Sequence, residues 1–357
     1  MAGRSCLLWS MIVGLFTIGC NDLPFDSLSS VSLSREAIVD GSRVTKRGDF
    51  DAVGALLVSG EYDGEKFGEF VCSGTLIRTD IFLTAAHCLE MYGLDEDEDV
   101  TLEWLVSFAT DVSQFGVDYF ETESISVSSI VLHPDFDSGS RTLLPNRLGN
   151  GSDLALLFLE EEVPGVEPIS MLEEGELSRL RPNSIVAIAG YGERFPYSRE
   201  SIDGILYFGY SYLYEIGQFE LRVGRDNRGH GEVSQEGLSE KCYGDSGGPT
   251  FLLGERGPRL IGVTSRGDEG DEYCQRAGVD TRVDAFWGWI DEESKRACAM
   301  GRRASPECAI EASWSRIGKN NQMGDGLGGC ASARARWWPL LFLGYLMVKF
   351  GKHNTKR

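Results

Sequence analysis

The run Gly244-Asp245-Ser246-Gly247-Gly248-Pro249 constrains this chain more than any other stretch. Gly244 has no side chain in the way, so two backbone N–H groups can converge on one point beside it. A serine in such a turn can attack a carbonyl carbon while those N–H groups hold the oxyanion that forms. Read for structure alone, the same six residues are a glycine-rich turn with an incidental serine. A serine hydroxyl needs an adjacent base to become a nucleophile. The rest of the chain therefore decides between the two readings.

Both partners for a nucleophile lie upstream. Thr84-Ala85-Ala86-His87-Cys88 carries a histidine, and Ser152-Asp153-Leu154-Ala155-Leu156 carries an aspartate at the head of an apolar run. The order His87, Asp153, Ser246 resembles that of the chymotrypsin/trypsin-like serine proteases, over residues 38–296. The resemblance implies an all-β fold of two six-stranded antiparallel barrels with a C-terminal helix. It also implies a serine endopeptidase acting through an acyl-enzyme on protein or peptide substrates. His87 would be the base, Asp153 its orienting carboxylate and Ser246 the nucleophile. The N–H groups of Gly244 and Ser246 would form the oxyanion hole.

Further residues take roles from the same resemblance. Ala37-Ile38-Val39-Asp40-Gly41 is similar to an activation site, where cleavage frees an Ile38 ammonium that pairs with Asp245; Asp40 replaces the commoner glycine. Because Ala37 precedes the bond, a separate activating protease, or trimming after a cut at Arg35, is expected. Glu240, six residues before the nucleophile, would form the floor of the substrate pocket, with Ser265, Gly267 and Gly278 along the cleft. Ser265 would also support Asp153. Lys241 could neutralise Glu240, Asp280 could add a second negative charge, and Arg266 stands where a tryptophan is common. Charge complementarity favours cleavage after Arg or Lys. The alternative reading is a catalytically weak or inactive protease-fold surface protein that acts as a binding module.

The chain holds nine cysteines. The resemblance pairs Cys72 with Cys88, pinning the histidine, and Cys242 with Cys274, pinning the pocket. Cys298 and Cys308 could close a small loop of their own. Disulfides belong to an oxidising compartment, and the N-terminus agrees. Arg4 and an apolar run over 6–18 make residues 1–20 a signal peptide, and Thr17-Ile18-Gly19-Cys20 resembles a bacterial lipobox. Lipidation of Cys20 and ordinary cleavage near Gly19 remain the two options. Residues 21–37 read as a linker or pro-segment.

With 34 Lys and Arg against 55 Asp and Glu, the net charge of −21 excludes nucleic-acid binding by phosphate neutralisation. Asp95-Glu96-Asp97-Glu98-Asp99 offers oxygen ligands for Ca²⁺, but acidic runs are usually solvated loops, and no cofactor is expected.

Residues 52–59, 70–77, 81–84 and 260–265 read as strands; 125–132 and, in part, 207–214 alternate, 154–159 is an apolar run, and 185–189 and 278–283 resemble strands of the family's second barrel. Residues 286–296 have helical spacing. His133, in His133-Pro134-Asp135-Phe136, is expected on a surface turn. Residues 297–330 read as a Cys-containing, Gly-rich linker. The order Cys330, apolar 337–350 and basic end in 331–357 resembles bacterial sorting tails of the MYXO-CTERM class. These features point to export to the periplasm or surface of a Gram-negative-type cell, with membrane attachment through the N-terminal lipid, the tail or both.

Overall fold

The computed structural model describes residues 38–308, except 46–47, 49, 63–64, 91–100, 114–123, 138–147, 150, 194–201, 203, 226–237, 268–273, 275 and 304. The expectations for Asp95–Asp99, Cys20, segment 21–37 and the tail beyond 308 lie outside the described residues.

After a short β1 (Ser42–Arg43), the first barrel is built from β2 (Val53–Tyr62), β3 (Glu65–Arg78), β4 (Ile81–Thr84), β5 (Thr101–Ser107), β6 (Ile125–Leu132) and β7 (Ala155–Leu159). Its order is β2-β3-β4-β7-β6-β5, and β5 returns antiparallel to β2. The continuous apolar run Ala155–Leu159 is buried at every position. The second barrel uses β8 (Ser184–Gly190), β9 (Tyr207–Ile216), β10 (Glu220–Val223), β11 (Pro249–Leu252), β12 (Arg259–Gly267) and β13 (Gly278–Arg282). Its order is β9-β10-β13-β12-β11-β8, closed by β8 against β9, with β1 added beside β9. Burial alternates along Tyr207–Leu213, as a strand with one face inward requires. The chain therefore forms the expected pair of closed six-stranded antiparallel barrels. Closure leaves neither barrel with a long open edge.

Two helices matter for the site. Helix α1 (His87–Glu90) is a single turn at the end of β4, and α2 (Trp287–Ala299) follows β13. No helix among the described residues is long and apolar enough to cross a membrane.

The end of α2 is tied to the first barrel. The Arg303 guanidinium donates to both Asp80 oxygens, with Nη2 to Oδ1 at 2.7 Å and Nε to Oδ2 at 3.1 Å. The Arg303 and Asp80 side chains are 1% and 0% exposed. Disulfide Cys298–Cys308 closes the loop that carries Arg303. Residues 297–308, assigned to a linker from sequence, thus begin as a clamp on the β3–β4 turn. His133 also departs from expectation. It is buried, with its ring 4.9 Å from that of Phe286 and 4.8 Å from that of Trp289. Burial pushes its pKa below the usual value, which Asp135 partly opposes, so the neutral ring packs the end of β6 against α2.

Removing one member of a buried ion pair strands the other charge. Arg303→Leu should cost about 3–5 kcal/mol of unfolding free energy, read from the denaturant midpoint. Asp80→Leu/Arg303→Leu should recover most of that loss.

Candidate active site

The site lies where the two barrels meet. His87 opens α1 directly after β4, and Asp153 stands just before β7, the strand paired with β4 through Thr84–Ala155. That register brings the two side chains together. Asp153 Oδ1 accepts the His87 backbone N–H at 3.0 Å, and Oδ2 lies 2.8 Å from His87 Nδ1. An ionised carboxylate only accepts, so Nδ1 carries the ring proton and Nε2, 3.8 Å from Cys88 Sγ, is the ring nitrogen left without one. From the second barrel, Ser265 Oγ donates to Asp153 Oδ2 at 2.6 Å. Ser265 sits at a register shift between Thr264 and Arg266 in β12, and such a bulge re-aims a side chain. Asp153 is 1% exposed, and three donors offset the cost of burying its charge.

Ser246 is half-buried in the turn before β11. Its carbonyl accepts the Ser73 N–H at 2.9 Å. Ser73 follows Cys72, which is disulfide-bonded to Cys88, the residue after His87. The serine turn is therefore docked on the same covalent brace that carries the histidine. Ser73 Oγ donates to the Gly244 carbonyl at 3.0 Å and accepts the Tyr191 N–H at 3.0 Å. Gly247, at φ +77°, is pressed against the same wall.

Within the turn, the N–H groups of Asp245, Gly247 and Gly248 donate to Cys242, Thr264 and Asp245 carbonyls. Those of Gly244 and Ser246 have no acceptor among the described residues. Both residues are half-buried, and Gly244 has φ +90°. The turn thus leaves these two N–H groups without an acceptor among the described residues.

Asp245 is fully buried; Oδ1 accepts the Gly192 N–H at 2.9 Å and Oδ2 the Cys242 N–H at 2.8 Å. Ile38 is equally buried, within the apolar cluster of the second barrel. Cys242–Cys274 is formed. Gly267 and Gly278 face each other across the β12–β13 ladder.

The charges around Glu240 are paired differently from expectation. Glu240 bridges antiparallel to Val39. Its carboxylate accepts the Arg225 N–H at 2.6 Å and lies 3.6 Å from Arg225 Nε. Arg225 also reaches Asp40, Nη2 to Oδ2 at 2.9 Å. Lys241 does not neutralise Glu240: its Nζ is 2.6 and 2.7 Å from the Asp280 oxygens and 2.6 Å from Thr250 Oγ1. Lys241 is thus paired with residues of β11 and β13, while Glu240 is paired with Arg225. Arg225 was not singled out from sequence. It sits 15 positions from Glu240, with no local pattern linking them.

A cluster of Cys72, His87 and Cys88 has the makings of a metal site. Both sulfurs are consumed in a disulfide, so no thiolate is available to a metal.

A family model described as Trypsin matches residues 38–290. The chain is 28% identical to a vitellin-degrading protease of Bombyx mori over 239 residues, covering 63% of this chain and 76% of that protein. It is 30% identical to serine protease 56 of Mus musculus over 253 residues, 69% of this chain and 37% of that protein. The human counterpart matches at 30% over 257 residues, 69% of this chain and 38% of that protein. The match therefore spans less than half of the two mammalian proteins.

A Cβ at position 247 would stand 2.1 Å from Thr84 Oγ1 and 2.3 Å from the Ser73 carbonyl oxygen. Gly247→Ala should therefore destabilise the fold by about 1–3 kcal/mol, measurable by thermal unfolding. An unchanged midpoint would contradict this packing.

Proposed function

Because the chain belongs to the trypsin family of serine proteases, we propose that it is an active serine endopeptidase using Ser246, His87 and Asp153. The observation that carries this reading is the fixed His87 ring, with Nδ1 2.8 Å from the Asp153 carboxylate. Nε2 takes the Ser246 proton as Oγ attacks the substrate carbonyl carbon. The N–H groups of Gly244 and Ser246 hold the oxyanion. Collapse expels the amine, which leaves with the proton from Nε2. Water then attacks the acyl-enzyme by the same route and regenerates Ser246. Asp153 stabilises the imidazolium throughout. No metal or cofactor is needed for these steps.

Activation is proposed to follow cleavage before Ile38. The new ammonium would add a counter-charge to buried Asp245. Ala37 calls for an activating protease that accepts small residues, or for trimming after a cut at Arg35. Disulfides Cys72–Cys88, Cys242–Cys274 and Cys298–Cys308 support export to an oxidising compartment. Attachment through Cys20 or the tail beyond 330 belongs to the same proposal.

Cleavage after Arg or Lys is the proposed preference. Three carboxylates (Asp40, Glu240, Asp280) stand against two cations (Arg225, Lys241). The region keeps an excess negative charge, but an incoming basic side chain must compete with Arg225 for Glu240.

Ser246→Ala should abolish ester and amide hydrolysis while the unfolding midpoint stays at the wild-type value; wild-type turnover in that variant would end the assignment. For specificity, Arg225→Gln should raise kcat/KM for arginyl peptides about tenfold, the equivalent of one lost competing ion pair of ~1.4 kcal/mol. A wild-type enzyme that prefers Phe, Leu or Ala at the cleaved position would contradict the basic preference.

A further inference from the structure

The chain entering Asp153 is held by the second barrel before it joins the first. Gly149 N–H donates to Glu220 Oε2. A Cβ at Gly151 would lie 2.2 Å from Glu220 Oε1, so the chain at 151 runs directly over that carboxylate. A Cβ at Gly217, in the turn before β10, would lie 3.0 Å from Leu148 Cδ1. Residues 148, 149 and 151 are thus seated on the β9–β10 hairpin.

Glu220 is the first residue of β10 and 1% exposed. Arg266 of β12 grips it fork to fork, Nη1 to Oε1 at 2.6 Å and Nη2 to Oε2 at 3.1 Å. Arg266 directly follows Ser265, which donates to Asp153. The contacts close a ring. Asp153 is hydrogen-bonded to Ser265; Ser265 is joined to Arg266 by a peptide bond. Arg266 is paired with Glu220, Glu220 holds Gly149, and the chain returns to Asp153.

We propose that Glu220 and Arg266 are positioning residues for Asp153, fixing from the second barrel the main chain that presents its carboxylate to His87. The proposal rests on the reading of Asp153 as the triad carboxylate. A buried ion pair is a poor source of stability, since apolar residues of similar volume often do as well. What a bidentate fork adds is a defined angle and distance. Here that geometry is passed to both flanks of Asp153, through Ser265 on one side and Gly149 on the other. Neither residue touches the reacting atoms, so the effect must show in kcat through the placement of His87.

The test uses the processed full-length protein. Glu220→Leu/Arg266→Leu removes both members of this pair together, so that neither is left buried without the other. A displacement of about 1 Å can cost roughly a hundredfold in rate. The double variant is therefore expected to lose kcat on that scale with KM within about twofold. The downfield proton resonance of His87 Nδ1–H, read without substrate, should move upfield or broaden. Arg266→Lys keeps the charge and the Glu220 acceptor but loses the fork, and should fall between wild type and the double variant in both readouts. It also keeps the proposal testable if the double variant fails to fold. Wild-type kcat with an unmoved resonance would overturn the proposal, as would a rise in KM alone, which would place the pair in substrate binding. If the wild type itself shows no turnover, the proposed function fails, and the resonance still decides whether the pair positions Asp153.

Discussion

The Asp153 carboxylate, buried where the two barrels meet, is the charge on which the site depends. Left without donors, a buried carboxylate costs several kcal/mol by order of magnitude. Its donors come from both barrels: the His87 N–H and ring from the first, and Ser265 Oγ from the second. Neither barrel alone completes the arrangement. The docking of the barrels, the bulge in β12 and the β4–β7 register each have a direct consequence for the orientation of one imidazole. Cys72–Cys88 serves the same end, because it fixes His87 to the strand whose Ser73 holds the Ser246 carbonyl.

A second principle runs through the second barrel, where carboxylates and cations are seated on one another in sets. Lys241 pairs with Asp280, Arg225 with both Glu240 and Asp40, and Glu220 with Arg266. Each set ties together segments that the chain must bring close at the site: the start of the domain at Asp40, the turn before Ser246, and the cleft strands β12 and β13. Binding specificity therefore cannot be read from one acidic residue. The local charge is a sum over carboxylates and the cations already seated on them.

Much of this was legible in the residues, for physical reasons. The turn around Ser246 needs small residues, and His87 and Asp153 sit at ends of apolar strands whose burial shows as continuous or alternating hydrophobicity. Strands β4 and β6 fall where their patterns place them, and α2 begins one residue inside the expected span. Strand β10 was not seen, because Glu-Leu-Arg-Val reads as a polar segment. Both of its charges are buried, and Glu220 and Arg222 are paired with Arg266 and Glu215. The clamp of Arg303 on Asp80 joins residues 223 positions apart, beyond any local pattern. The partner of Lys241 is Asp280, 39 positions away, and not its chain neighbour Glu240, so adjacency in sequence is a poor guide to the pairing.

The central claim is that this seam makes one serine out of the whole chain nucleophilic. A fluorophosphonate reacts only with a serine activated in this manner. The processed protein should be incubated with such a probe and the adduct located by peptide mass spectrometry. A single phosphonylated residue at Ser246, absent after His87→Ala, is the predicted result. No adduct on the folded wild-type protein, or one that persists without His87, would contradict the account.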